Sequence, residues 1–156
     1  MKRLLSLILI LVFVFCGCAI QPEEIKINRC FTAKAEIQYQ STAFTADFTS
    51  DESGCSAVFS YPEEISGLKI EYNGTGYTYT LGNLSFTSSI KKENEQFLKI
   101  FFEAVRDPNT VISETETGYA ATGTVTAGSY YLNINNTQFN PVYFEVEKIG
   151  LAIKFN

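Results

Sequence analysis

Apolar side chains recur at every second position through most of this chain, and a single segment breaks the rule. Phe31, Ala33, Ala35, Ile37 and Tyr39 alternate with Thr32, Lys34, Glu36 and Gln38. Period two places the first set on one face of a β-strand and the second on the other. The pattern repeats at Phe44, Ala46 and Phe48, then at Ala57, Phe59 and Tyr61, with residues 51–54 as a turn. It continues through Leu68, Ile70 and Tyr72, through Tyr77, Tyr79 and Leu81, and through Leu84 and Phe86. Asn73-Gly74 predicts a two-residue hairpin turn, because both central positions of a type I′ turn need positive φ. The first half of the chain therefore reads as an antiparallel meander of six strands with one apolar face.

The break lies in "KKENEQFLKIFFEAVRDP", residues 91–108. Phe97, Leu98, Phe101, Phe102 and Val105 fall at helical spacing. Glu93 and Glu95 near its start and Arg106 near its end suit the helix dipole, and Asp107-Pro108 stops it. The expected helix spans about residues 93–106. Strands resume at residues 110–116, then around Tyr119, Ala121, Gly123 and Val125, then around Tyr130, Leu132 and Ile134. A closing pair, residues 139–147 and 148–155, bends near Gly150. The reading is mainly β with one helix: about eleven strands, the helix falling between the sixth and the seventh. Each strand has one face to cover. One helix is small beside eleven apolar faces, so a strongly curved antiparallel sheet wrapped around it fits better than a flat sandwich.

Ahead of the strands, Lys2 and Arg3 precede residues 4–15, of which only Ser6 is polar. That is the layout of a secretory signal. As a membrane span the run is short, roughly 18 Å against roughly 30 Å of hydrocarbon. Phe15, Cys16 and Gly17 before Cys18 resemble a bacterial lipoprotein signal, in which the cysteine receives diacylglycerol and palmitate-like acyl chains. The resemblance implies a signal peptide at residues 1–17, a lipidated tether at 18–28 and one domain at 29–156. It places the protein on the extracytoplasmic face of the cell membrane, held by the lipid on Cys18. Net charge is −5 for the whole chain. Without Lys2 and Arg3, 10 basic residues face 17 acidic ones, about −7. The basic residues are scattered, which disfavours nucleic acid and anionic head groups as partners.

The chain has no histidine, so no Ser-His or Cys-His pair can form. Glu145 and Glu147 could lie roughly 7 Å apart on one strand face, within the range of glycosidase carboxylates. Like Glu114 and Glu116, they read better as a solvated face. No enzyme activity, metal or cofactor is expected. Cys30 and Cys55 are the candidates for a disulfide. They begin strands one and three, roughly 9.5 Å apart, whereas a bridge needs α-carbons within about 7 Å. Their parities also differ, so a bridge would require local fraying.

What remains conspicuous is apolar surface. Small inward residues leave room, either for the helix or for a ligand. The candidate cavity takes Ala35 and Ile37 from the first strand, Phe44, Ala46 and Phe48 from the second, and Ala57 and Phe59 from the third. Ile70 and Tyr72, the helix residues Phe97, Phe101 and Phe102, and Leu132 and Phe144 complete it. Tyr39, Tyr61, Tyr72, Tyr77 and Tyr79 suit either the rim of an acyl-chain cleft or ordinary half-buried strand faces.

The element order, "YPEEISGLKIEYNGTGYTYTLGNLSF" at residues 61–86 and "NPVYFEVEKIGLAIKF" at 140–155 resemble the LolA, LppX and RseB superfamily of periplasmic and lipid-anchored proteins. Pro62-Glu63 and Gly67-Leu68 match its signature before the fourth strand. The resemblance implies an incomplete barrel whose concave face holds helices and, in many members, a lipid or acyl chain. It extends to the GerS-like lipoproteins of spore-forming bacteria, which act by binding a partner enzyme. Two functions follow as expectations. One is an anchored binder of a lipid, acyl chain or other apolar ligand in a half-barrel cavity. The other is a non-catalytic scaffold or regulator that binds a protein partner through its rim or sheet edge.

Overall fold

The computed structural model describes residues 25–88 and 96–156. The expected signal peptide at residues 1–17, Cys18, the first part of the expected tether and the expected helix start at Glu93 and Glu95 lie outside them. The described residues form one antiparallel sheet of 11 strands that does not close. In chain order the strands are β1 (Phe31–Tyr39), β2 (Thr42–Ser50), β3 (Cys55–Tyr61), β4 (Lys69–Tyr72), β5 (Tyr77–Leu81) and β6 (Leu84–Ser88). After helix α1 (Gln96–Ala104) come β7 (Val111–Thr115), β8 (Gly118–Val125), β9 (Gly128–Asn135), β10 (Pro141–Val146) and β11 (Leu151–Phe155). Their spatial order is β6-β5-β4-β3-β2-β1-β11-β10-β9-β8-β7. Each half of the chain is a meander, and the first and last strands join the halves in the middle, Ala35 opposite Phe155 and Ile37 opposite Ile153.

The helix shows how far this sheet curls. It touches β3 and β4 on one wing and β8 on the other, strands that a flat sheet would hold far apart. Its buried face carries Phe97, Leu98, Ile100, Phe101 and Ala104. Beyond Ala104 one turn continues, with Val105 N donating to Phe101 O at 3.1 Å. Arg106 then clamps the end. Its guanidinium lies 3.6 Å over the Phe102 ring, and it donates to the carbonyls of Phe102 and of Asp51 in the β2–β3 turn.

Small residues on the concave face lie beside large ones. One cross-strand row runs Ala33, Phe48, Ala57, Ile70, Tyr79, Phe86. The inward alanines therefore sit beside rings rather than beside empty space, as close packing requires. Gly123 shows the same economy. A β-carbon there would stand 2.5 Å from Asp107 Oδ2 and 2.6 Å from the Tyr130 hydroxyl. The room left by the glycine is occupied by those two side chains.

Two register features differ from simple alternation. Between Ala46↔Phe59 and Thr45↔Tyr61 the pairing shifts by one residue. This β-bulge turns Tyr61 to the convex face, where it is 58% exposed, instead of inward as its parity suggested. Pro141 sits at a second bulge, against β9, where a missing N–H is tolerated. The Asn73-Gly74 turn is also looser than the two-residue form expected. Only Gly74 has positive φ, 86°, and Asn73 N donates to Gly76 O. The Asn73 side chain organises this four-residue loop by accepting from Thr75 N and Gly76 N.

Candidate functional site

The 14 residues read as cavity-lining are brought together on the concave face. Twelve are buried in one core cluster, and Phe44 and Phe102 pack against it. Phe101 is the hub. Its ring centroid lies 6.0 Å from Phe31, 5.1 Å from Phe48, 5.4 Å from Phe144 and 5.3 Å from Phe155. Phe97 meets Phe59 edge-on, and Phe59 meets Phe44. Phe102, half-buried, stands edge-on to Tyr72. The space between helix and sheet is thus filled by aromatic rings of the chain itself.

Open volume lies around this core. A groove of about 660 Å³ separates the segment at Ile27, Asn28 and Arg29 from Val105, Asp107 and Ile112. Arg29 crosses its floor, donating to Val105 O at 3.2 Å and standing 3.9 Å from Glu52. A furrow of about 430 Å³ runs over the convex face, where Ala43 and Ala152 lie between Tyr61 and Tyr143.

Titratable groups are shifted for structural reasons. Hydrogen bonds from the Ser53 hydroxyl, Ser53 N and Gly54 N hold the Asp51 carboxyl below its ordinary range. Burial raises the Tyr72, Tyr77 and Tyr130 phenols. The Tyr130 hydroxyl contacts Thr110 Oγ1 at 2.5 Å beneath Gly123. Burial also pushes the Cys55 thiol up, and Cys55 Sγ donates to Leu98 O at 3.1 Å. Cys55 is buried, Cys30 is exposed and both are free, so the candidate disulfide is not formed. The reason is the parity difference: Cys55 faces the helix and Cys30 precedes β1 at the surface.

No group of three or more Cys, Asp and Glu among the described residues is arranged to hold a metal ion. Glu145 lies on β10, but Glu147 falls in the 3-10 turn Glu147–Ile149. The pair does not share a strand face. Glu116 likewise lies just beyond β7.

Sequence reading did not single out the rim at β6. Leu84 is 74% exposed, Phe86 59% and Leu81 49%. All three continue the concave face, Leu84 opposite Leu81 and Phe86 opposite Tyr79. Phe86 stacks on the buried Tyr79 ring at 4.7 Å. Their alternation was visible in the sequence. That their strand is an edge among the described residues, with its apolar side chains exposed, follows only from the strand order.

No protein-family model matches the chain, and no curated protein matches it. Solved structures do. A chain in the complex of the CwlD amidase from Clostridioides difficile with the GerS lipoprotein matches 93% of this chain over 92% of its own length, with 14% identity and a TM-score of 0.50. An uncharacterized conserved protein from Thermus thermophilus matches 81% of this chain over 76% of its own, at 13% identity and a TM-score of 0.47. A LolA superfamily protein from Nitrosomonas europaea matches 82% over 70%, at 13% identity and a TM-score of 0.40. At such identities the likeness is one of fold.

Proposed function

We propose that this chain is an extracytoplasmic, membrane-anchored module that acts without catalysis by docking a protein partner. The observation that carries the reading is the filled interior. A ligand pocket for an acyl chain needs several hundred Å³ of apolar space. Between α1 and the sheet that space holds Phe97 and Phe101, each buried in ring contacts. The anchor is the lipid on Cys18, argued from the apolar run that ends at Gly17-Cys18. The lack of histidine and the scattered carboxylates support a non-catalytic role. A chain of the same fold occurs in a complex of an amidase with a lipoprotein, which is in keeping with partner docking.

Capture of a lipid or acyl chain is the competing reading, favoured by the exposed apolar rim at Leu81, Leu84 and Phe86. Mass spectrometry of lipid extracts from the purified chain, with a fluorescent fatty-acid titration, separates the two. The scaffold reading expects no stoichiometric non-covalent lipid and no saturable fatty-acid binding. One lipid per chain, released by extraction and replaced by the probe, would overturn it.

A further inference from the structure

We infer that β6 is the docking edge for one extended strand of the partner protein, a strand of apolar and hydroxyl side chains in alternation with a basic residue at one end. The inference rests on the partner-docking reading above and names its surface and its chemistry. Among the described residues the open sheet ends in β6 and β7, and an edge strand turns alternate backbone donors and acceptors away from its neighbour, here along the exposed stretch 84–87 of β6. The edges differ in protection. Strand β7 carries exposed Glu114 and runs into exposed Glu116, and charge on an edge deters pairing. Residues 81–88, "LGNLSFTS", hold no charged side chain.

Both faces of β6 specify what would pair with it. On the concave side Leu84 and Phe86 stand exposed, and the stack of Phe86 on Tyr79 holds that ring in place. On the convex side are Ser85 and Thr87, with Ser85 Oγ 3.3 Å from Thr80 Oγ1. Cross-strand pairs favour apolar against apolar and hydroxyl against hydroxyl. The incoming strand therefore sets apolar residues opposite Leu84 and Phe86 and Ser or Thr opposite Ser85 and Thr87. The basic end follows from position. Exposed Glu63 and Glu64 lead through the 3-10 turn Glu63–Ile65 to Gly67, which abuts the Leu81 side chain. Leu81 is opposite Leu84, so this acidic pair marks the Leu84 end of the edge. The chain's own net charge of −5 opposes a second copy as the occupant.

The test uses the full chain in detergent and a short fluorescent peptide alternating valine and threonine, with lysine at one end. Anisotropy should show saturable binding to the wild type. Leu84→Lys and Phe86→Lys should each weaken it at least tenfold, and Val111→Lys on the opposite edge should leave it unchanged. Hydrogen exchange on the wild-type chain gives a reading that does not depend on variant folding: the peptide should slow the outward amides of Ser85 and Thr87, which alternate with those turned to β5, and leave 111–115 as they were. No binding, or equal binding by all variants, would overturn the inference. So would a dimer of the chain that Leu84→Lys dissolves, which would give the edge to a second copy. Peptide binding that survives both β6 variants removes this edge but leaves partner docking standing. Stoichiometric lipid in the extract bears on partner docking and leaves the edge result intact.

Discussion

Replacing Phe101 by alanine removes the ring that the interior is built around. Phe101 is fully buried, with four aromatic rings centred within 6.0 Å. Losing the buried side chain forfeits about 1.5–3 kcal/mol of transfer free energy. The vacated space, roughly 100 Å³ at about 24 cal/mol per Å³, adds about 2 kcal/mol. The sum, about 3.5–5 kcal/mol, lies within the range of Phe→Ala substitutions. Ring-pair energies overlap with these terms and are not added to them. A domain of this size is stable by about 5–15 kcal/mol in all. Each kcal/mol moves its melting point by about 3–5 °C, so a fall of about 10–25 °C is expected. Urea unfolding should show a lower midpoint with an unchanged slope. Phe102→Ala is the internal comparison: that ring is half-buried against Tyr72 and Arg106, and its loss should cost about 1–2 kcal/mol. A Phe101→Ala loss below about 2 kcal/mol, with no structural collapse at the site, would mean that the ring borders open space and that the interior is not filled.

Metabolic labelling with a fatty acid should mark the wild-type chain and miss Cys18→Ala; equal labelling would remove the anchor from the proposal. An alkylating reagent at neutral pH should modify exposed Cys30 and spare Cys55 until denaturant is added, because burial raises the Cys55 thiol and Leu98 O accepts a hydrogen bond from it; peptide mapping reads both sites, and native labelling of Cys55 would contradict its placement. The lowered Asp51 carboxyl contributes stability that is present above the ordinary aspartate value, about 3.9, and is lost as pH falls through its folded value. The urea midpoint of the wild type should therefore exceed that of Asp51→Asn at pH 7 and converge on it below pH 4, and a constant difference across that range would exclude the charge as the cause.

Much of this fold was legible because period two is hard to mimic. Eleven strands, one helix and its place after β6 follow from alternation and from the one segment at helical spacing. What the alternation could not show was where it slips. The bulge at Thr45/Ala46 inserts one residue and sends Tyr61 outward, and no local signal in "SAVFSYPE" announces it. The small inward residues were visible too, but not what fills beside them. Gly123 makes room for Tyr130 and Asp107, and Ala33 and Ala57 flank Phe48, choices that depend on partners distant in sequence. The rim at Leu84 and Phe86 was hidden for the same reason. Whether an apolar face is covered depends on strand order, and strand order is a long-range property.

The seam between β1 and β11 has a consequence for how the chain acquires its shape. Asn156 Nδ2 reaches Glu36 across 120 residues, and Asn156 N bonds to Lys34 O at 2.8 Å. Either meander can assemble from neighbouring hairpins as soon as it is made, but their junction needs the first strand and the last together. During synthesis from the N-terminus, β1 stands with one flank open until more than a hundred further residues have emerged. Closing so long a loop is the slow, high-contact-order step. The six-strand half thus waits, already twisted, for its central neighbour, and whatever delays the final hairpin leaves the sheet divided in the middle rather than frayed at its margins.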